Sequence, residues 1–205
     1  MAKNDLIRID TFHAEKALED LQDALSMVPG GMKKAMCRAL SRTIKGMRTD
    51  AVRQIRKDYN VPAKDVRSKM TVVSPKPADN HPRALLRAEG RMSVPLFRYG
   101  ARPRVPVAAG GRRPRKGVSV QVKKTSGRKV IEGSFVQRPK NGGGVQIMKR
   151  ETKERDSHQV LYGPSHLQAL KDEGNLFELQ ELAEERLQKN IIHEADFVLQ
   201  QAGLR

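Results

Sequence analysis

The stretch Lys129–Ser165, KVIEGSFVQRPKNGGGVQIMKRETKERDSHQVLYGPS, decides the fold. Val130-Ile131 and Phe135-Val136 flank Gly133. Val145–Met148 follows a triple glycine, and Val160–Tyr162 runs into Gly163-Pro164. Short apolar runs separated by glycine-rich turns predict an antiparallel meander. Just upstream, Val118, Val120 and Val122 alternate with polar residues, a period of two with one apolar face. Ser126-Gly127 supplies the turn between that strand and Lys129.

Helical periods lie on both sides of this block. Residues 3–9 alternate weakly and predict an edge strand. Thr11 is placed to cap a helix carrying Ala14, Leu18, Leu21 and Leu25, which Pro29-Gly30-Gly31 stops. From about residue 31 to 58 the apolar stripe Met32, Met36, Leu40, Ile44, Met47, Ala51, Ile55 recurs every three or four residues. Its opposite face, including Lys34, Arg38, Arg42 and Lys45, is basic and reads either as solvated or as a contact surface. Pro62 opens a short helix to Lys69, and Met70–Val73 turns to strand character. Arg83–Gly90 and Leu96–Tyr99 are expected to continue the sheet.

After residue 170, Asn175 and Glu178 form a capping-box pattern that opens a final helix to about residue 200. Its stripe is Leu179, Ala183, Leu187, Ile191, Ala195 and Val198, starting from Leu176. A second apolar edge at Phe177, Leu182, Ile192 and Leu199 predicts a wide buried arc. Glu178, Glu181, Glu185 and Glu194 are read as its acidic outer face. The expected fold is one α+β domain over residues 1–205. It has N-terminal helices, a mostly antiparallel five- to six-stranded sheet and a long C-terminal helix.

Net charge is +17 over 205 residues, and it is uneven. Residues 1–60 hold 12 basic and 8 acidic side chains, residues 61–160 hold 24 and 7, and residues 161–205 hold 4 and 8. The basic middle calls for an acidic partner surface. It culminates in an extended Pro/Gly loop at about 98–117 with Arg98, Arg102, Arg104, Arg112, Arg113, Arg115 and Lys116. Prolines deny this segment a ladder and no acid offsets it, so these seven are the candidate partner or DNA contacts. No apolar run approaches the roughly 20 residues of a membrane span, so no membrane role is expected. Cys37, the only cysteine, sits in the apolar stripe and reads as a small buried hydrophobe.

Chemistry is not expected. His13, His81, His158, His166 and His193 lack metal-ligand spacing. Gly142–Gly144 is followed by Val-Gln rather than the Lys-Ser/Thr of a phosphate-binding loop, and Gly163-Pro164-Ser165 lacks a nucleophile elbow. No catalytic, metal or cofactor residue is assigned, and the chain is not read as an enzyme. Aromatic residues are only 4%, with no Trp, which argues against a base-stacking platform.

Lys116–Val120 (KGVSV), Arg128–Val136 (RKVIEGSFV) and Leu161–Ser165 (LYGPS) together resemble the prophage minor tail protein Z family of long-tailed phages. The chain departs from that pattern at Asp156–Gln159, where relatives carry an Arg-Leu-Pro-like step. The resemblance implies a structural virion protein acting in tail completion at the head–tail junction. Related small tail-completion folds form rings, commonly of six subunits. Implied partners are copies of itself, a tail terminator or tube, and head–tail adaptor or portal proteins. Genomic DNA in the channel, met non-specifically, is a further one. The implied place is the virion tail or neck, with the host cytoplasm during assembly. In a ring, charge would bring Glu181 and Glu185 against the basic middle of the next chain, and Leu161 and Tyr162 are further interface candidates. The rival reading is a non-specific DNA-binding protein.

Overall fold

In the computed structural model the described residues are 3–9, 19–89, 93–107, 111, 116–139, 144–152, 157–164, 170 and 173–204. They form eight strands and four α-helices, an α+β chain with a long C-terminal helix as expected. The strands fall into three small antiparallel sheets rather than one of five or six strands. The chain separates into two compact units.

The first unit comprises residues 1–52, 67–90 and 170–205. Its sheet has the order β1-β3-β2, from β1 (Lys3–Ile9), β2 (Met70–Val73) and β3 (Ala84–Glu89). The weak alternation at residues 3–9 does make an edge strand, because β3 already has both neighbours. Ile7 and Val72 both stand opposite Leu86. Ala84, Leu86 and Ala88, on one face of β3, are completely buried; on its other face Leu85 is nearly so and Arg87 is part exposed. Asp5 and Arg87, directly opposite each other, pair at 2.8 Å.

Helix α1 (Gln22–Ser26) contributes Leu25 to the core; the predicted cap at Thr11 lies outside the described residues. Helix α2 (Gly31–Asp58) keeps the predicted bounds. Leu40, Ile44, Met47 and Ala51 of its stripe are completely buried, and Cys37 is buried among them. Burial also pushes the Cys37 thiol up; nearby Lys33 lowers it and Asp79 adds to the rise, each less strongly.

The C-terminal helix is labelled α4 (Glu173–Gln201). It starts before Asn175, which is therefore not its cap. Leu187, Ile191 and Ala195 are completely buried and Leu179, Ala183 and Val198 nearly so. The second apolar edge behaves differently. Leu199 is buried, while Phe177, Leu182 and Ile192 stay 65%, 43% and 51% exposed. The buried arc is narrower than the sequence implied.

The second unit comprises residues 53–66 and 91–169. Helix α3 (Ala63–Arg67) begins there and buries Val66. Strands β4 (Val118–Val120) and β5 (Lys129–Ile131) form a hairpin; β6 (Ser134–Gln137), β7 (Gln146–Arg150) and β8 (His158–Val160) form the meander. The strand at His158 forms despite the departure from the family pattern at residues 156–159. Val122 lies beyond β4, and its carbonyl accepts the Asn60 amide at 2.8 Å.

Leu96–Arg98 is a 3-10 turn after Pro95, not a strand. It delivers Tyr99 into complete burial, which drives the phenol far above its ordinary range, with Tyr59 adding to the effect. The hairpin and the meander meet through Ser134. Its hydroxyl donates to the Ile131 carbonyl (2.6 Å) and accepts the Val118 amide (3.0 Å). Gly117 has φ +103, and a Cβ there would strike the Ile131 carbonyl, so only glycine fits where the chain enters β4.

Candidate functional site

In the first unit α4 turns three polar side chains, Arg186, Asn190 and Glu194, toward α2. Glu194 lies three residues after Ile191 and one before Ala195, inside the buried stripe, and it is 5% exposed. It is not part of the acidic outer face. Arg38 Nε donates to it at 2.5 Å and Arg42 Nη1 at 3.2 Å. Burial alone would raise its carboxyl pKa, but the hydrogen bond and charge of Arg38, the Arg42 hydrogen bond and His193 hold it below the usual glutamate range.

One turn back, Asn190 donates to the Thr43 hydroxyl at 2.8 Å, and Arg186 meets Asp50 at 2.7 Å. Gly46 makes room for that arginine, since a Cβ there would collide with the guanidinium. The Arg38 guanidinium also lies over the Phe197 ring, 4.4 Å from its centroid. Arg38 and Arg42 nevertheless remain 51% and 55% exposed. They border a groove of about 410 Å³ together with Cys37, Ser41, Lys45, Pro75, Pro77 and Glu194. Three cations against one carboxylate leave this groove positive.

The remaining exposed surface of α4 carries Glu178, Glu181 and Glu185, all in solvent as expected. Lys189 bonds Glu185 one turn on and lowers its pKa, first by that hydrogen bond and then by its charge.

In the second unit the predicted loop contacts are not equivalent. Arg98 is drawn onto Asp65 at 3.4 Å. Arg102 is tied by its backbone to Ser119, amide to carbonyl in both directions at 2.9 and 3.0 Å, while its side chain is exposed. Arg104 and Lys116 are exposed; Arg112, Arg113 and Arg115 lie outside the described residues. Arg128, which sequence reasoning passed over, anchors the root of the loop by donating to the carbonyls of Gly100 (2.5 Å) and Ser119 (2.9 Å).

Of the two interface candidates, Leu161 is engaged within the chain: its amide donates to Ile147 and its carbonyl accepts from Leu96, both at 2.9 Å. Tyr162 is 60% exposed. His158 sits edge-on to Phe135, with centroids 5.3 Å apart, as a packing residue. Among the described residues no cluster of His, Cys, Asp and Glu could hold a metal, and no helix is long and apolar enough to cross a membrane.

Comparison with known families matches residues 13–202 to the prophage minor tail protein Z (GPZ) model, nearly the whole chain. The chain belongs to that family. Comparison with curated proteins and with solved structures finds no match. As a member of the minor tail protein Z family it is a structural protein of a phage tail and a component of the virion, in a family not known for enzymes.

Proposed function

We propose that this minor tail protein Z is a ring-forming connector subunit that acts in tail completion and head–tail joining at the neck. The observation that carries the reading is the exposed apolar side chains of α4. Phe177, Leu182 and Ile192 stay 65%, 43% and 51% exposed beside Glu178, Glu181 and Glu185 on a helix whose other face is core. Large apolar side chains left in solvent on a structural protein mark contact surfaces. A ring, with six copies as the working number, covers them with a neighbouring subunit. Its partners are then the tail terminator or tube on one side and adaptor or portal proteins on the other. Basic side chains such as Arg104 and Lys116 are left for an acidic neighbour or for DNA in the channel.

Native mass and negative-stain imaging of the purified chain, and of tails assembled with and without it, test the reading. Closed rings, and tails that need the protein to join heads, support it. Intact joining in its absence refutes it. A second reading, non-specific DNA binding, draws on the net charge of +17. A dedicated binder making six or more phosphate contacts loses about three orders of magnitude in affinity between roughly 50 and 200 mM salt. A tail connector binds duplex weakly throughout.

A further inference from the structure

Exposed basic residues of the first unit border two clefts that share one loop. The first is the groove of about 410 Å³ along α2, bordered by Arg38, Arg42 and Lys45 and walled by Pro75 and Pro77. The second, of about 560 Å³, is bordered by Arg8, Asp79, Asn80, His81 and Arg83. The two prolines follow β2, and Arg83 immediately precedes β3. A closed turn lies between them. The Asp79 amide donates to the Lys76 carbonyl at 3.0 Å, and the Lys76 amide donates to the Asp79 carboxylate at 3.2 Å. The clefts are therefore the two sides of the β2–β3 loop.

Strand register builds the second cleft. Arg8 of β1 stands opposite Leu85, so Arg83 is its diagonal neighbour on the same face of the sheet. Arg87, further along that face, is taken by Asp5. Arg8, Arg83 and Lys45 are exposed and enter no ion pair among the described residues. Across both clefts five cations, Arg8, Arg38, Arg42, Lys45 and Arg83, face two carboxylates, Glu194 and Asp79, an excess of three.

We propose that this band, on both sides of the β2–β3 loop, holds the phosphate backbone of duplex DNA without regard to sequence. It is a different surface from the 98–117 loop to which the charge of the sequence points, and it does not depend on ring closure. Neither cleft is bordered by Phe, Tyr or Trp, so bases find no stacking platform and a protein partner finds no large apolar anchor. Ser41 and Asn80 add uncharged donors for phosphate oxygens. With about three phosphates neutralised, log affinity falls against log salt with a slope near −2.7, about 40-fold between roughly 50 and 200 mM. That is well short of the roughly three orders of magnitude of a dedicated binder.

The test uses the full chain with Lys45→Ala, Arg8→Ala, Arg83→Ala and all three together, with helix content checked by circular dichroism. Arg38 and Arg42 are left intact because they hold Glu194. Affinity for two unrelated duplexes of equal length is followed by fluorescence anisotropy across that salt range, and self-association by sedimentation velocity in parallel. Each single variant flattens the slope by about 0.9 on both duplexes and the triple variant by about 2.7. Arg98→Ala, which removes a positive charge already paired with Asp65, leaves the slope unchanged. A triple variant with the wild-type slope, or an equal flattening by Arg98→Ala, overturns the proposal and leaves the ring reading standing. If the variants weaken self-association and leave DNA affinity untouched, the band belongs to a protein neighbour and the proposal is overturned. A chain that stays monomeric yet shows the expected slopes keeps this contact and loses the ring.

Discussion

Replacing Glu194 by glutamine isolates the charge at the α2–α4 contact. The variant keeps the shape of the side chain and one acceptor oxygen, but it loses the negative charge and one of the two acceptors that Arg38 (2.5 Å) and Arg42 (3.2 Å) use, on a group that is 5% exposed. Breaking a fully buried ion pair costs about 3–5 kcal/mol, chiefly because a charge is stranded. Arg38 and Arg42 are 51% and 55% exposed, so they rehydrate rather than strand. The expected loss is therefore nearer a single hydrogen bond to a charged group, about 1.5–3 kcal/mol. In a chain of this size that lowers the melting temperature by roughly 4–9 °C.

The pH dependence has a definite sign. The folded-state pKa of Glu194 is depressed, so its contribution is full above the ordinary glutamate value of about 4.3 and is lost as pH falls through the folded value. Urea melts of wild type and Glu194→Gln are expected to differ at pH 7 and to converge on acidification below about pH 4. A gap that persists unchanged in acid, or no gap at pH 7, refutes the account.

Gly46→Ala gains about 1 kcal/mol of helix propensity but displaces Arg186 from Asp50, so it is expected to be near neutral alone. In an Arg186→Ala background the same change should stabilise, as denaturant midpoints of the four-member cycle will show. Gly163→Ala pushes a methyl into the buried Tyr99 ring and should cost about 1–3 kcal/mol by thermal melt. Arg98→Ala should cost only about 0–1 kcal/mol, because its pair with Asp65 is half exposed. It should leave the salt slope of duplex binding unchanged, whereas Lys116→Ala should lower that slope if the loop meets phosphate.

Periodicity revealed the elements well where burial follows a strict period. The bounds of α2 and the positions of β1 to β7 could be read from the sequence because most of these elements keep one face in a core; β5, with Val130 49% exposed, showed itself by the turns beside it. Pairing was less visible. Alternation marks a strand but not its neighbour, so the placement of β3 between β1 and β2, and the division into three sheets, had no local signature. Leu96–Tyr99 looked like a strand because its apolar residues are as dense as a strand's; Pro95 and the burial of Tyr99 bend it into a 3-10 turn instead.

At the α2–α4 contact the signal was present and was overruled by residue type. Position 194 continues the Leu187–Ile191 stripe, so a glutamate there had to face inward and needed cations on the facing helix. The basic face of α2 supplies them at Arg38 and Arg42. The solvent-facing loop residues carry no such constraint, because neither period nor burial fixes a long Pro/Gly segment.

The hydroxyl of Ser134 is a small object at the junction of three strands. Among the described residues no ladder joins β4 to β6; the Ser134 hydroxyl links the two panels directly, and the segment 94–102 bonds to both, at Ser119 and at Leu161. Ser134→Ala would strip the Val118 amide of its acceptor and leave the strand pairing within each panel untouched. Val118, whose amide is held by a side chain rather than a strand, sits at that junction.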